Sequence, residues 1–130
     1  MPRFVILEHD YPEPHWDLML EAGPVLRTWR LAEPPDVSRP VAATASFDHR
    51  PVYLDYEGPV SGNRGTVQRW DGGMFVWEED TPDRISFRLE GNRLHGLALL
   101  ERRDRDAWTL IMPPEQVVSG QLPVPDATNR

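Results

Sequence analysis

Two histidines and five acidic residues fall within the fourteen positions from Glu8 to Glu21. The second half of this stretch alternates. His15, Asp17, Met19 and Glu21 share one side of a strand, and Trp16, Leu18 and Leu20 share the other. Such a strand aims an imidazole and a carboxylate at one point, two residues apart. Tyr11-Pro12-Glu13-Pro14 reads as a rigid turn that brings His9 back toward them. Two imidazoles and a carboxylate converging on one point suit a divalent transition metal with positions left open for substrate. The plainer reading of the same spacing is a buried His–Asp hydrogen bond on an ordinary strand.

The rest of the composition narrows the chemistry. Cysteine is absent, which excludes disulfides, thiolate metal sites and cysteine nucleophiles. All fourteen basic residues are arginine, so a Schiff-base lysine, a P-loop lysine and a ligase-type lysine nucleophile are excluded as well. Arginine still serves phosphate through its planar fork. A net charge of −7 argues against broad adhesion to nucleic acid but leaves room for a local basic groove. No apolar run reaches the length of a membrane span and the N-terminus lacks a signal-peptide pattern, so the expectation is a cytoplasmic protein with no membrane partner.

The elements that must position these residues are strands. Arg3 to Glu8, His15 to Glu21, Val25 to Leu31, Val41 to Phe47, Ile85 to Leu89, Leu94 to Glu101 and Ala107 to Met112 carry strand patterns. Glu33 to Pro40 reads as a loop with room for one helical turn. Asp48 to Tyr53 reads as irregular. Thr66 to Trp70 and Met74 to Trp77, separated by Asp71-Gly72-Gly73, read as a hairpin, and Glu90 to Arg93 as the turn of a second. Glu78 to Asp83 and Arg102 to Asp106 read as charged loops. Turn signals every ten residues or so predict an all-β, mainly antiparallel fold. It is a small closed β-barrel of about eight strands with short helical turns in its loops, and the polar residues gather in its interior or at its rim. One domain is expected over 1–112, followed by a proline-rich, extended or mobile tail over 113–130.

The ordered series His9, His15-Trp16-Asp17-Leu18, Trp29, Asp48-His49, Tyr53, Asp55-Tyr56-Glu57-Gly58, Gly65-Thr66-Val67, Trp70-Asp71, Phe87-Arg88-Leu89 and Trp108-Thr109-Leu110-Ile111 resembles the 3′-phosphoesterase domain of bacterial DNA ligase D, the multidomain enzyme of non-homologous end joining. The resemblance runs from about Phe4 to Met112. It implies a β-barrel with a manganese-dependent activity (zinc being the second candidate) that trims phosphates and ribonucleotides from 3′ ends of nucleic acid. The family's metal ligands fall on His9, His15 and Asp17. Its phosphate-contacting and catalytic pair falls on His49 and Tyr53, with Arg50 and Arg64 as further phosphate-binding candidates. The implied partners are DNA or RNA/DNA 3′ ends. The 130 residues include no polymerase or ligase domain, so a stand-alone protein working beside a separate ligase or polymerase is expected.

This chain departs from the family pattern at two places. Met19 stands where the family has an arginine, and Phe47 where it has a glutamate. A methionine cannot hold a phosphate, so the pocket is short of one positive charge unless Arg50, Arg64 or Arg27 supplies it. Two other readings stay open beside the phosphoesterase. One is a metal- and nucleic-acid-end-binding module with little or no turnover. The other is a jelly-roll iron oxygenase using His15, Asp17 and the distant His95. The histidine that joins the group decides between them: His9 for the first two, His95 for the third. The five tryptophans are expected mainly in the core rather than on a base-stacking surface.

Overall fold

The computed structural model describes residues 1–113 and 117–118. Strand β1 (Arg3–His9) is apolar on both faces, and the structure shows why. Phe4 and Ile6 belong to one buried cluster, Val5 and Leu7 to another. The first cluster is the barrel interior. It collects side chains from β1, β2 (His15–Ala22), β3 (Val25–Leu31), β4 (Val41–His49), β6 (Thr66–Asp80), β7 (Arg84–Gly91), β8 (Leu94–Asp104) and β9 (Ala107–Ile111). These eight strands follow the order β1-β2-β3-β4-β9-β8-β7-β6, every pairing is antiparallel, and β1–β6 closes the ring. Closure removes the exposed sheet edges that an open sheet would present. Two short strands are added to it: β5 (Gly58–Pro59) beside β6, and β10 (Val117–Val118) beside β8. The rest of the proposed tail lies outside the described residues.

The second cluster lies on the outer face of the wall. Val5, Leu7, Met19, Leu26 and Val67 are covered there by Leu54, with Tyr53, Tyr56 and Val60 packed around them. A four-residue 3-10 turn, Pro51–Leu54, carries Tyr53 and Leu54 over the strands. The helical turn expected between Glu33 and Pro40 is thus found at 51–54 instead, where a proline at the first position presets φ. The wall and its covering segment form a cleft outside the barrel. The gathering of polar site residues in the interior or at the rim, expected from the sequence, is corrected accordingly.

The expected hairpin at Asp71-Gly72-Gly73 is also corrected, because β6 runs unbroken from Thr66 to Asp80. Asp71 does not start a turn of its own. Its buried carboxylate accepts the backbone N–H groups of Gly72, Asn92, Arg93 and Leu94, and so caps the β7–β8 turn. A Cβ on Gly73 would collide with the Glu90 carbonyl oxygen of β7. The glycine here answers a close approach of strands, and a bulge against β1 follows at Ile6/Leu7. The charged segments Glu78–Asp80 and Arg102–Asp104 likewise extend strands rather than loops.

Candidate functional site

The β1–β2 register pairs Phe4 with Leu20 and ends by pairing His9 with His15. Asp17, two residues further on, points to the same outer face. Trp16, Leu18 and Leu20 point inward, as the alternation predicts. His15 Nε2 lies 3.2 Å and His9 Nδ1 3.8 Å from Asp17 Oδ2. One ligand atom from each of the three residues lies within 4.8 Å of the others. His95, in β8 opposite Glu90, has no part in this group, which removes the oxygenase triad.

The outer nitrogens of both rings face backbone carbonyls. His15 Nδ1 lies 2.9 Å from the Glu13 carbonyl oxygen, and His9 Nε2 lies 2.8 Å from the Arg64 carbonyl oxygen. A carbonyl only accepts, so each of these nitrogens carries its hydrogen. In the neutral rings the inner nitrogens then present lone pairs to the Asp17 carboxylate. His15 and Asp17 are 4% and 5% exposed, so water does little to relieve three acceptors facing one another. A proton on an inner nitrogen, which makes the His15–Asp17 contact a hydrogen bond, or a metal cation between the three groups resolves the conflict. Histidines whose far nitrogens are anchored on carbonyls are the usual arrangement around a bound metal. The donor set therefore fits a divalent ion.

Beside this group opens a cavity of about 300 Å³ lined by His9, Asp17, Arg30, Phe47, His49 and Tyr53, among others. That is the lower end of the range for small-molecule sites. His49, at the end of β4, places Nδ1 2.8 Å from Thr28 Oγ1. The single Thr28 hydroxyl hydrogen is directed to the Leu26 carbonyl, 3.1 Å away. His49 Nδ1 is therefore the donor, and Nε2 is left available. Burial pushes the His49 imidazole below its ordinary pKa; Asp17, the Phe47 backbone and Asp48 pull it back, while Arg30 adds to the depression. Tyr53 meets the His49 ring edge-on at 5.6 Å.

Most of the residues expected from the sequence meet here. Arg50 and Arg64 line the cavity. The Arg64 guanidinium is already engaged by the Ser61 carbonyl and hydroxyl, at 2.7 and 3.2 Å. Arg27 does not reach the cavity: it pairs with Asp80 at 3.0 Å and lies over Trp29 and Trp77. Met19 lines the cavity from within the outer apolar cluster.

The sequence reading missed Arg30. It pairs with Asp17 in the β2–β3 ladder, and its Nε lies 3.9 Å from Asp17 Oδ1. The signal was present, since a tight turn pairing Ala22 with Val25 fixes Asp17 opposite Arg30. Phe47 was seen only as a lost glutamate. It is in fact a large exposed ring stacked on His49.

Residues 7–102 match the family described as the DNA Ligase D 3′-phosphoesterase domain. The chain is 32% identical over 114 residues to the multifunctional non-homologous end joining DNA repair protein LigD of Mycobacterium tuberculosis, covering 81% of this chain and 15% of that protein. It is 29% identical over 104 residues to the multifunctional non-homologous end joining protein LigD of Pseudomonas aeruginosa, covering 72% of this chain and 12% of that one. The chain thus spans a small fraction of the length of the relatives it matches.

Proposed function

The chain belongs to the DNA ligase D 3′-phosphoesterase domain family, and on that premise we propose that it is a metal-dependent phosphoesterase acting on 3′ ends of nucleic acid in DNA end repair. The substrates are 3′-phosphate or 3′-ribonucleotide ends of DNA or of RNA/DNA, handed on to a ligase or polymerase of end joining. One observation carries this reading: His9 and Asp17 of the His9–His15–Asp17 group line the same cavity as His49 and Arg30.

His9 Nδ1, His15 Nε2 and Asp17 Oδ2 would hold the ion, manganese in first place and zinc in second. A divalent ion bound there polarises a phosphoryl oxygen and lowers the pKa of a coordinated water. The protein's own groups do the rest. Arg30 offers its guanidinium fork to the non-bridging oxygens. Arg50 adds charge at the entrance. His49 Nε2 faces the phosphoryl group. An anion beside it favours the imidazolium, which then donates to the leaving oxygen. Thr28 and Tyr53 keep the ring in that orientation, and the Tyr53 hydroxyl is available to a phosphate oxygen.

Met19 favours a second reading. A thioether in the phosphate pocket is what a module that binds ends without cleaving them could tolerate. The deciding experiment compares metal-stripped and manganese-reconstituted protein on oligonucleotides with 3′-phosphate and 3′-ribonucleotide ends. The phosphoesterase reading expects manganese-dependent release of phosphate or nucleoside, abolished in His15→Ala. Tight binding of these ends without release would establish the binding module instead.

A further inference from the structure

Phe4, Phe75 and Phe87 are completely buried, whereas Phe47 is 69% exposed. Its ring lies nearly parallel to that of His49, with centroids 4.5 Å apart and planes 20° from parallel. His49 is itself fixed by Thr28 and edge-on by Tyr53. One face of Phe47 thus carries the His49 ring, and the side chain is otherwise exposed at the mouth of the cavity. The strand places it there: between Leu26↔His49 and Thr28↔Ser46, β4 carries one more residue than β3, and the bulge turns Phe47 outward.

Large hydrophobic side chains exposed singly on a surface are ordinary, but these are not scattered at random. Tyr11, 44% exposed, also lines the cavity, and Val52, 56% exposed, sits in the turn that carries Tyr53. A ligand that suits this mouth has a phosphoryl group for the polar floor and a flat apolar face within one nucleotide of it. We propose that the exposed ring of Phe47 stacks the nucleobase of the terminal 3′ nucleotide, so that the protein selects ends whose last base is unpaired. This rests on the phosphoesterase reading of the same cavity and adds its specificity determinant. A base paired and stacked inside a duplex cannot lie against a ring on the protein, whereas a single-stranded or frayed end can offer its face without sequence preference.

The simpler role for Phe47 is to prop the His49 ring, and the two roles differ in one respect. A prop acts whatever the end carries, while a platform acts only when a base is present. The test therefore uses manganese-loaded protein and three 3′-phosphorylated probes: a single strand ending in 2-aminopurine, the same strand ending in an abasic site, and a blunt duplex. Dissociation constants are read by anisotropy and stacking by 2-aminopurine quenching. The wild type is expected to bind the base-bearing single strand about tenfold more tightly than the abasic one, with quenching. It should also prefer it to the duplex. Phe47→Ala should lose the difference between base and abasic ends, and Phe47→Trp should keep it. Metal content, unchanged in both variants, confirms that the His9–His15–Asp17 site is intact. Wild-type protein that binds base-bearing and abasic ends equally overturns the platform alone. Equal base dependence in Phe47→Ala does the same. No binding to any phosphorylated end overturns both the platform and the phosphoesterase reading.

Discussion

A cation reaches Asp17 across a strand pair rather than along one strand, and on the proposed function it is the one that meets the phosphate. Met19 is 2% exposed within an apolar cluster, while Arg30 extends from the neighbouring strand toward Asp17. A charge-assisted contact is worth about 1.5–3 kcal/mol, so Arg30→Ala should lower kcat/KM on 3′-phosphorylated ends by roughly ten- to a hundredfold. Met19→Arg should gain no activity and should cost roughly 1–3 kcal/mol in chemical unfolding, because it forces a guanidinium into a packed cluster. A faster Met19→Arg enzyme of unchanged stability would show that the pocket does lack a cation. A second residue-scale prediction concerns His49, whose pKa burial holds below the ordinary value of about 6.5. The groups facing it are Asp17 and Asp48, which oppose the shift, and Arg30, which adds to it. Between the folded value and about 6.5 the unfolded chain binds more protons, so stability falls as pH drops through that window and the loss is complete below the folded value. NMR titration of the metal-free protein should place His49 below 6.5, and His49→Gln should flatten the acid limb of the stability curve. Titration of His49 at or above 6.5 contradicts the burial argument. His9, His15 and Asp17 were legible because an alternating strand and a short turn are local. Arg30 was missed because its place follows only after counting the β2–β3 register back from the Ala22–Val25 turn.

At the scale of elements, most strands were legible from alternation and the unbroken run of β6 was not. Asp71-Gly72-Gly73 has the composition of a tight turn, yet its carboxylate serves a turn 21 to 23 residues away in sequence. Composition reports which residues tolerate a turn; it does not report which carbonyls and amides they meet. Four backbone donors converge on this one buried carboxylate. Removing it leaves several of them unsatisfied at about 1–3 kcal/mol each. Asp71→Ala should therefore destabilise the protein by roughly 3 kcal/mol or more in urea unfolding. The effect should be seen first as faster hydrogen exchange at Asn92, Arg93 and Leu94. A loss under about 1 kcal/mol would mean that water replaces the carboxylate at no great penalty. The bulge in β4 is the second feature that periodicity could not show, and it is the one that turns Phe47 from an inward strand position to the mouth of the cavity.

For the molecule as a whole, the barrel supplies the wall and the candidate site lies on its outside. The interior is filled by apolar side chains from all eight strands. The closed sheet was legible from the spacing of turns. The outer face was not, because the apolar run of β1 shows that both of its faces are covered without showing by what. The cover is the segment from Arg50 to Arg64, which also brings the Arg64 carbonyl to His9. An ion at His9, His15 and Asp17 would therefore tie together the two strands at the turn end of the β1–β2 hairpin and, through His9, the covering segment. Ligand that binds only the folded state stabilises it by RT ln(1 + [L]/Kd), about 2.7 kcal/mol at a hundredfold excess over Kd. For a chain of this size that corresponds to roughly 10 °C in Tm. Manganese added to metal-stripped protein should raise Tm by about that amount, and a chelator should reverse it. His15→Ala should bind no stoichiometric metal by elemental analysis, and its Tm should not respond to manganese. An unaltered metal content in His15→Ala, or a Tm in the wild type that ignores both manganese and chelator, would place the ion elsewhere and leave the three converging side chains as a hydrogen-bonded cluster.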